Sequence, residues 1–351
     1  MLLSFGICLI ILTLRSWVAR FSGRLSDMQA VQRTHTQLTP RVGGLAIFGT
    51  LAGSLVFAPV DIVAPYRDFV VATALLFGIG LLEDLGYHVS ARNRLIAAIA
   101  SSLLVIVLLE VWLPRVGIPG LDTMMSHWAV GVPLTVLVTA GVTHGFNLID
   151  GVHGLAGLAG ISAAVALSQV AEQAGYVTMV HLALMVAAGT LGFLLLNFPL
   201  GLIFLGDSGA YTLGFVLSWF GVSVLLYSPE VSPWALVLIL FWPIADTLLA
   251  IYRRARRRES ISAPDRLHMH QLVLRALEIC VVGPRRRWLA NPLTTVLLSP
   301  FVIMPPFTGV ILWDDNSLAF LAVLGFCLCI FLVHSMAPAV IRRVGRRYCT
   351  R

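Results

Sequence analysis

Charge is scarce in this sequence, and lysine is absent from it. Only 12% of the 351 residues are charged and 58% are apolar, whereas about 25% of the residues in a soluble domain are charged. This shortage of charge excludes an ordinary soluble protein, and a mean hydropathy of +0.90 indicates an integral membrane protein. The sequence also shows neither an internal repeat nor a soluble domain between its apolar segments.

Cysteine is scarce as well, with five residues and no C-x-x-C spacing among them. These residues lie in apolar segments or on the side of the membrane that we predict to be reducing. Neither disulfide bonds nor a structural zinc site is therefore expected. The five residues are Cys8, Cys280, Cys327, Cys329 and Cys349.

The apolar segments predict an all-α fold, a polytopic transmembrane helical bundle. A helix needs about 20 apolar residues to cross a bilayer, or a few fewer where its ends snorkel. About eleven segments meet this requirement, and they predict a single integral membrane domain over residues 1–351. The segments are approximately residues 2–18, 43–60, 69–82, 95–113, 128–142, 155–170, 179–196, 210–227, 234–252, 292–313 and 318–339.

The distribution of arginine predicts the orientation of this bundle. If alternate loops share a side, 22 of the 24 arginines lie on one side, and only Arg67 and Arg115 lie on the other. Because basic residues favour the cytoplasmic side, the N-terminus is expected outside and the C-terminus in the cytoplasm. The arginines flank the spans, so this face suits membrane lipids and phosphorylated substrates rather than nucleic acid.

Polar side chains cluster in five loops on this inner side, whereas the acidic residues of the outer loops are scattered. The last part of the fifth group belongs to a long cytoplasmic loop, residues 253–291, which carries an Arg/His motif. The five groups lie within residues 33–44, 83–95, 143–160, 204–214 and 243–275.

Four carboxylates in these groups directly adjoin apolar segments. A carboxylate at full depth in a bilayer costs about 2.5–3.5 kcal/mol, so such residues are usually functional. The alternative is a structural role, because Asp in a turn before a helix is also an ordinary helix cap. The four carboxylates are Glu83, Asp84, Asp150 and Asp207.

The same loops contain the groups that a metal diphosphate needs. Carboxylates, with Asn147 as a neutral oxygen donor, suit a hard cation such as Mg²⁺, and arginine and histidine suit the phosphates. The sequence GDSGA around Asp207 opens a predicted helix whose N-terminus also favours an anion. His268 and His270 are too few to hold zinc, so they favour phosphate contact or proton transfer.

At these residues the chain resembles the polyprenyl-phosphate N-acetylhexosamine-1-phosphate transferases. The resemblance extends from about residue 33 to residue 271, and several motifs occur in the family's order and spacing. They are P-R-x-G-G at residues 40–44, an acidic pair at 83–84, N-x-x-D-G-x-(D/N)-G-L at 147–155, G-D-(S/T)-G-(A/S) at 206–210 and R-x-H-x-H-H at 266–271.

The resemblance implies transfer of a sugar 1-phosphate from a UDP-N-acetylhexosamine to undecaprenyl phosphate, with release of UMP. It implies an Mg²⁺-dependent enzyme, with Mn²⁺ as the alternative ion, at the cytoplasmic face of the bacterial inner membrane. Such a reaction initiates the assembly of O-antigen in lipopolysaccharide, of capsule or of another cell-envelope glycan. By analogy, the metal ligands are Asp207 and Asn147, the catalytic residues are Glu83, Asp84, Asp150, His268 and His270, and the substrate-binding residues are Arg41, Asn147, His153 and Arg266.

Three positions depart from the family motifs: Glu83 replaces Asp, His153 replaces Asp or Asn, and Gln271 replaces the last histidine. These departures favour altered sugar specificity, with an inactive homologue as the alternative. A transporter of lipid-linked or phosphorylated solutes is disfavoured, because its polar groups would lie near the midplane of the bilayer. N-acetylglucosamine, N-acetylgalactosamine and 6-deoxy amino sugars stay open as substrates, and so does a homodimer.

Overall fold

The computed structural model describes residues 1–15, 39–257, 267–283 and 286–349, and every regular element in these ranges is helical. The all-α prediction is therefore confirmed for the described part of the chain. A 3₁₀ turn (Ser54–Phe57) and a π turn (Glu278–Val282) extend two of the helices. The α-helices are α1 (Leu2–Thr13), α2 (Gly44–Gly53), α3 (Val63–Asp84), α4 (Ala91–Leu109), α5 (Leu121–Met125), α6 (Trp128–Ile149), α7 (Leu155–Gln173), α8 (Val177–Asn197), α9 (Gly206–Tyr227), α10 (Pro233–Ile239), α11 (Phe241–Arg257), α12 (Met269–Leu277), α13 (Arg287–Ile311) and α14 (Asn316–Cys349).

Eight of these helices are long and apolar enough to cross a membrane, as expected of a multi-pass membrane protein. Helices α10 and α11 form a ninth candidate only if they count as one span, because an 84° bend separates them. The two segments at residues 2–18 and 43–60 contain only short apolar helices in the described residues. The predicted count of about eleven spans is thus not confirmed, and the orientation of the termini stays a prediction.

Helix α9 lies at the centre of the bundle and is almost wholly buried. It packs against α6, α3 and α2, and small residues allow the backbones to approach closely. A Cβ added to Gly214 would meet the backbone of Thr143 on α6, and one added to Gly209 would meet the backbone of Gly44 on α2. This packing brings the first turn of α9 to the end of the bundle where α3 ends and α4 begins.

The loops of the bundle gather at two ends. At one end, which we call the site end, residues 40–44, 84–90, 150–155 and 204–208 lie together. At the other end, the Arg115 guanidinium donates hydrogen bonds to the carbonyls of Leu225, Ser228 and Val231, at 2.8, 2.8 and 2.7 Å. Loops far apart in sequence are therefore joined at each end by polar contacts.

Candidate functional site

The P-R-x-G-G segment pairs with the loop before α9. The Phe204 N–H donates to the Pro40 carbonyl at 2.8 Å, and the N–H groups of Gly43 and Gly44 donate to the carbonyls of Phe204 and Leu205, each at 2.9 Å. A side chain at Gly43 would collide with the Phe204 carbonyl, so the close approach requires glycine. The entry motif thus holds the segment that leads into the G-D-S-G turn.

Gly206 begins α9 with φ of 75°, a left-handed conformation that glycine tolerates without strain. A Cβ at this position would fall on the Arg41 carbonyl and on both carboxylate oxygens of Asp84. Glycine is therefore required here for two reasons, the backbone conformation and the lack of space. The result is that Asp207, the next residue, stands between the segments that carry Arg41 and Asp84.

Asp84 holds the first turn of α9. Its Oδ1 accepts the Asp207 N–H at 2.8 Å, and its Oδ2 accepts the Ser208 N–H at 2.9 Å and the Ser208 hydroxyl at 2.6 Å. The first N–H groups of a helix lack partners within the helix, so this carboxylate caps α9 from the end of α3. Asp84 is buried, and its contacts assign it to the positioning of Asp207; whether it also contacts substrate stays a prediction.

Asp207 pairs with Arg94, which lies in the first turn of α4. Both side chains are mostly buried, at 14% exposed for Asp207 and 23% for Arg94. Arg94 was not among the predicted site residues, although a basic residue at the start of an apolar segment that follows an acidic pair is a signal for it. An arginine next to the candidate metal ligand also provides a partner for phosphate oxygens.

Asp150 lies at the end of α6 and completes a group of three carboxylates. Its carboxylate accepts a hydrogen bond from the Gly206 N–H. It also interacts electrostatically with Arg41, Asp207 and Asp84. Burial raises the pKa of Asp150 to about 7, the two neighbouring carboxylates add to the rise, and Arg41 opposes it. The carboxyl group can therefore hold or release a proton near neutral pH.

The donor types at this group fit a magnesium ion. Asp207, Asp150 and the amide of Asn147 on the last turn of α6 are oxygen donors of the kind that Mg²⁺ prefers, and the mutual repulsion of the carboxylates favours a cation. Within the described residues, no group of three or more His, Cys, Asp or Glu side chains forms a ready metal site. Arg94 already neutralises Asp207, so a bound ion would have to share or replace that partner.

Three further residues that the sequence predicted for the site are Glu83, Arg41 and Arg266. Glu83 accepts the Val89 N–H at 2.6 Å, which orients its side chain toward the loop between α3 and α4. Arg41 is exposed at the site end. Arg266 lies outside the described residues, and its predicted role is not addressed by the structure.

His153 is buried against the loop that follows α8. Its N–H donates to Asn291 at 2.7 Å, its carbonyl accepts the Thr295 hydroxyl at 2.6 Å, and its Nδ1 lies 3.2 Å from the Pro199 carbonyl. The ring also packs near Phe204 at a centroid distance of 5.7 Å. These contacts give His153 a structural function, and its predicted substrate contact stays a prediction.

His268 and His270 lie at the start of α12, beside α11 and the turn at residues 147–151. The Nδ1 of His268 lies 2.7 Å from an Asp246 carboxylate oxygen, and the two imidazole rings are nearly parallel at 5.9 Å. A Cβ on Gly151 would fall on the ring of His270. His270 is thus packed against the motif that contains Asn147 and Asp150, and His268 lies beside His270. Asp246 was not among the predicted site residues.

Comparison with known proteins agrees with the motifs. Residues 66–225 match the model of glycosyl transferase family 4. A probable undecaprenyl-phosphate N-acetylglucosaminyl 1-phosphate transferase of Bacillus subtilis (strain 168) is 34% identical over 254 residues, which cover 71% of this chain and 69% of that protein.

The chain belongs to glycosyl transferase family 4. A decaprenyl-phosphate N-acetylglucosaminephosphotransferase of Mycobacterium tuberculosis (strain ATCC 25618 / H37Rv) is 30% identical over 270 residues, which cover 68% of this chain and 66% of that protein. An undecaprenyl-phosphate alpha-N-acetylglucosaminyl 1-phosphate transferase of Escherichia coli O157:H7 is 26% identical over 336 residues, which cover 92% of this chain and 88% of that protein. The resemblance to the polyprenyl-phosphate N-acetylhexosamine-1-phosphate transferases is confirmed.

The glycosyl transferase family 4 match covers only part of the candidate site. It includes the carboxylates at the ends of α3 and α6 and at the start of α9, together with Arg94. It excludes Arg41, Asp246 and the two histidines, which reach the same end of the bundle from outside the matched range. The structure thus assembles the candidate site from both the matched segment and its flanks.

Proposed function

We propose that this glycosyl transferase family 4 protein transfers an N-acetylhexosamine 1-phosphate from a UDP-sugar to undecaprenyl phosphate and releases UMP. The names of the relatives support N-acetylglucosamine as the first sugar to test and a polyprenyl phosphate as the acceptor. The reaction would take place at the cytoplasmic face of the bacterial inner membrane and begin the assembly of O-antigen, capsule or another envelope glycan.

The observation that carries this proposal is the meeting of three carboxylates and two arginines at one end of the bundle. Asp84, Asp150 and Asp207 come from three different loops, and Arg41 and Arg94 lie beside them. The reaction must bring together two anions, a lipid phosphate and a diphosphate, whose repulsion opposes their approach. Arginines can bind phosphate oxygens in pairs and so reduce this repulsion.

Asp207 and Asn147 would hold the magnesium ion, which when bound neutralises charge on the diphosphate and on the leaving UMP. The protein's own side chains contribute by positioning the charged groups of the site. Asp84 fixes Asp207 by capping α9, and Arg94 supplies a positive charge at the same point. Asp150 can orient the lipid phosphate or act as its base.

The test is transfer in membranes that contain the protein, with undecaprenyl phosphate and a panel of UDP-sugars. We expect UMP release together with a butanol-soluble sugar lipid, and loss of both when EDTA removes divalent ions. Asp207→Asn should lower the rate by about 10²-fold or more, because it removes the negative charge that would hold the metal ion at the diphosphate.

The matched control is Asp68→Asn, which changes an aspartate that pairs with Arg67 at the opposite end of α3. This variant should keep the wild-type rate. UMP release without a lipid product would indicate a hydrolase. If neither product forms with any sugar, the protein is an inactive homologue and the proposal is wrong.

A further inference from the structure

Asp246 is a buried carboxylate to which the proposed function above gives no role. It lies on α11, is 3% exposed and binds the start of α12 at two points. Its Oδ2 lies 2.7 Å from His268 Nδ1, and its Oδ1 accepts the Met269 N–H at 3.2 Å. Met269 is the first residue of α12, so this contact satisfies an N–H group that the helix itself leaves unpaired.

The Asp246 contact determines which nitrogen of His268 carries the proton. An ionised carboxylate can only accept hydrogen bonds, so His268 must donate from Nδ1. In a neutral imidazole the other nitrogen, Nε2, is then an acceptor. Buried aspartates that hold an imidazole in one tautomer serve this purpose in catalytic triads.

The second histidine of the pair connects this contact to the candidate site. His270 is 1% exposed, and its ring lies nearly parallel to that of His268 at 5.9 Å. Its ring lies directly against the backbone of Gly151, the residue after Asp150. Burial lowers the pKa of His270 to about 4, so this ring is neutral at physiological pH and packs without charge.

The backbone before His268 also lies close to α14. The Nε2 of His334 on α14 lies 3.3 Å from the Leu267 carbonyl and 3.2 Å from the Arg253 guanidinium on α11, and it can bond only one of the two, because a guanidinium only donates. Residues 267–269 thus lie against both α11 and α14. A ring that only filled space would not need a buried carboxylate to orient it.

We infer that Asp246 is a positioning residue for the transfer reaction, which holds His268 as the Nδ1–H tautomer next to His270, whose ring lies against Gly151. His268 Nε2 then carries no proton and accepts a hydrogen bond from an O–H or N–H group of the nucleotide sugar in the transition state. This inference rests on the proposed function. A purely structural role, in which Asp246 only fastens α12, is the competing explanation.

Asp246→Asn separates the two explanations. The amide oxygen of the variant can still accept the Met269 N–H, but its NH₂ group faces His268 Nδ1. That nitrogen must then accept, and the proton moves to Nε2. We expect kcat to fall by about 10²-fold, in the range seen when one transition-state hydrogen bond is lost, while KM for UDP-N-acetylglucosamine stays unchanged. Asp246→Glu, which keeps the charge, should recover part of the rate.

The control is Asp122→Asn. Asp122 also accepts two backbone N–H groups, from Val116 at 2.7 Å and from Gly117 at 3.0 Å, but it lies at the opposite end of the bundle. We expect this variant to keep the wild-type kcat. An equal loss of kcat in Asp122→Asn and Asp246→Asn would support a general structural effect and overturn the inference.

Nitrogen NMR of ¹⁵N-histidine-labelled protein tests the tautomer without any need for activity, and His268→Gln identifies the signals. Wild type should show a protonated Nδ1, and Asp246→Asn a protonated Nε2; the same tautomer in both would overturn the inference. An active wild type with an unchanged kcat in Asp246→Asn would also overturn it. An inactive wild type with the expected tautomers would instead contradict the proposed function.

Discussion

Asp84 and Asp207 occur in similar sequence contexts, each at the end of an apolar helix, but their contacts differ. Both carboxylate oxygens of Asp84 accept hydrogen bonds from α9, whereas the carboxylate of Asp207 pairs with the guanidinium of Arg94. Hydrogen bonds offset the cost of burying the first charge, and an opposite charge offsets the cost for the second. The first residue is therefore suited to positioning and the second to contact with a metal ion or substrate.

Replacing Asp84 by Asn should disturb the start of α9. The amide can accept at one oxygen only, and its NH₂ group opposes an N–H donor of Asp207 or Ser208. We expect a loss of about 2 kcal/mol in the free energy of unfolding, as for buried hydrogen bonds to a charged group, and a large loss of transfer activity. Chemical denaturation in detergent and the transfer assay measure the two effects.

Ser208→Ala serves as the comparison for this prediction. It removes only the hydroxyl bond to Asp84 and leaves both backbone N–H bonds in place. We expect a loss of about 1 kcal/mol and nearly normal activity. Full activity in Asp84→Asn would contradict the positioning role.

At the scale of elements, the first turn of α9 is the point where the site is assembled. The P-R-x-G-G segment pairs with the backbone before it, and the ends of α3 and α6 contact its first residues. Glycine at three of these positions allows a backbone to lie where a side chain would otherwise stand. The motif glycines are thus explained by packing between elements as well as by turn conformation.

Gly206→Ala and Gly120→Ala form a matched pair that tests this packing. Both glycines have positive φ, of 75° and 84°, so each substitution should cost about 1–2 kcal/mol for the backbone conformation. A Cβ at Gly120 meets nothing within 4 Å, whereas one at Gly206 meets Arg41 and Asp84. We expect only Gly206→Ala to abolish transfer in the membrane assay. Equal activities would show that the turn tolerates a side chain.

The sequence predicted most elements but not how many of them cross the membrane. Each of the eleven apolar segments coincides with a helix, or with a helix and its neighbour, in the described residues. Hydropathy gives the length of an apolar segment, but it does not reveal the 84° bend between α10 and α11. The bend lies at Leu240, within an apolar run without polar residues, and the local signal for it is Pro243, which has no N–H to bond the Ile239 carbonyl at the end of α10.

At the scale of the whole molecule, the two ends of the bundle differ in their chemistry. The site end contains the carboxylate group and the histidine pair, and the opposite end is joined by Arg115 and Asp122. The positive-inside rule predicts that the site end faces the cytoplasm. The proposed UDP-sugar donor also requires the site to face the cytoplasm.

Cysteine labelling of intact cells measures this orientation. In a background without native cysteines, Tyr87→Cys at the site end and Met124→Cys at the opposite end introduce single thiols at exposed positions. We expect an impermeant maleimide to label position 124 in intact cells and position 87 only after permeabilisation. The reverse pattern would contradict the predicted orientation and a cytoplasmic site.

The sequence by itself determined the membrane class, the helical segments and the four carboxylates, because hydropathy and the cost of buried charge depend on local composition. Motif spacing also identified the family. Only the tertiary structure decided which residues are partners, since the pairs Arg94–Asp207 and Asp84–Ser208 join helices that are distant along the chain, and Asp246 meets His268 across a loop. The first two pairs meet because α3, α4 and α9 pack closely, and no local pattern in the sequence contains that information.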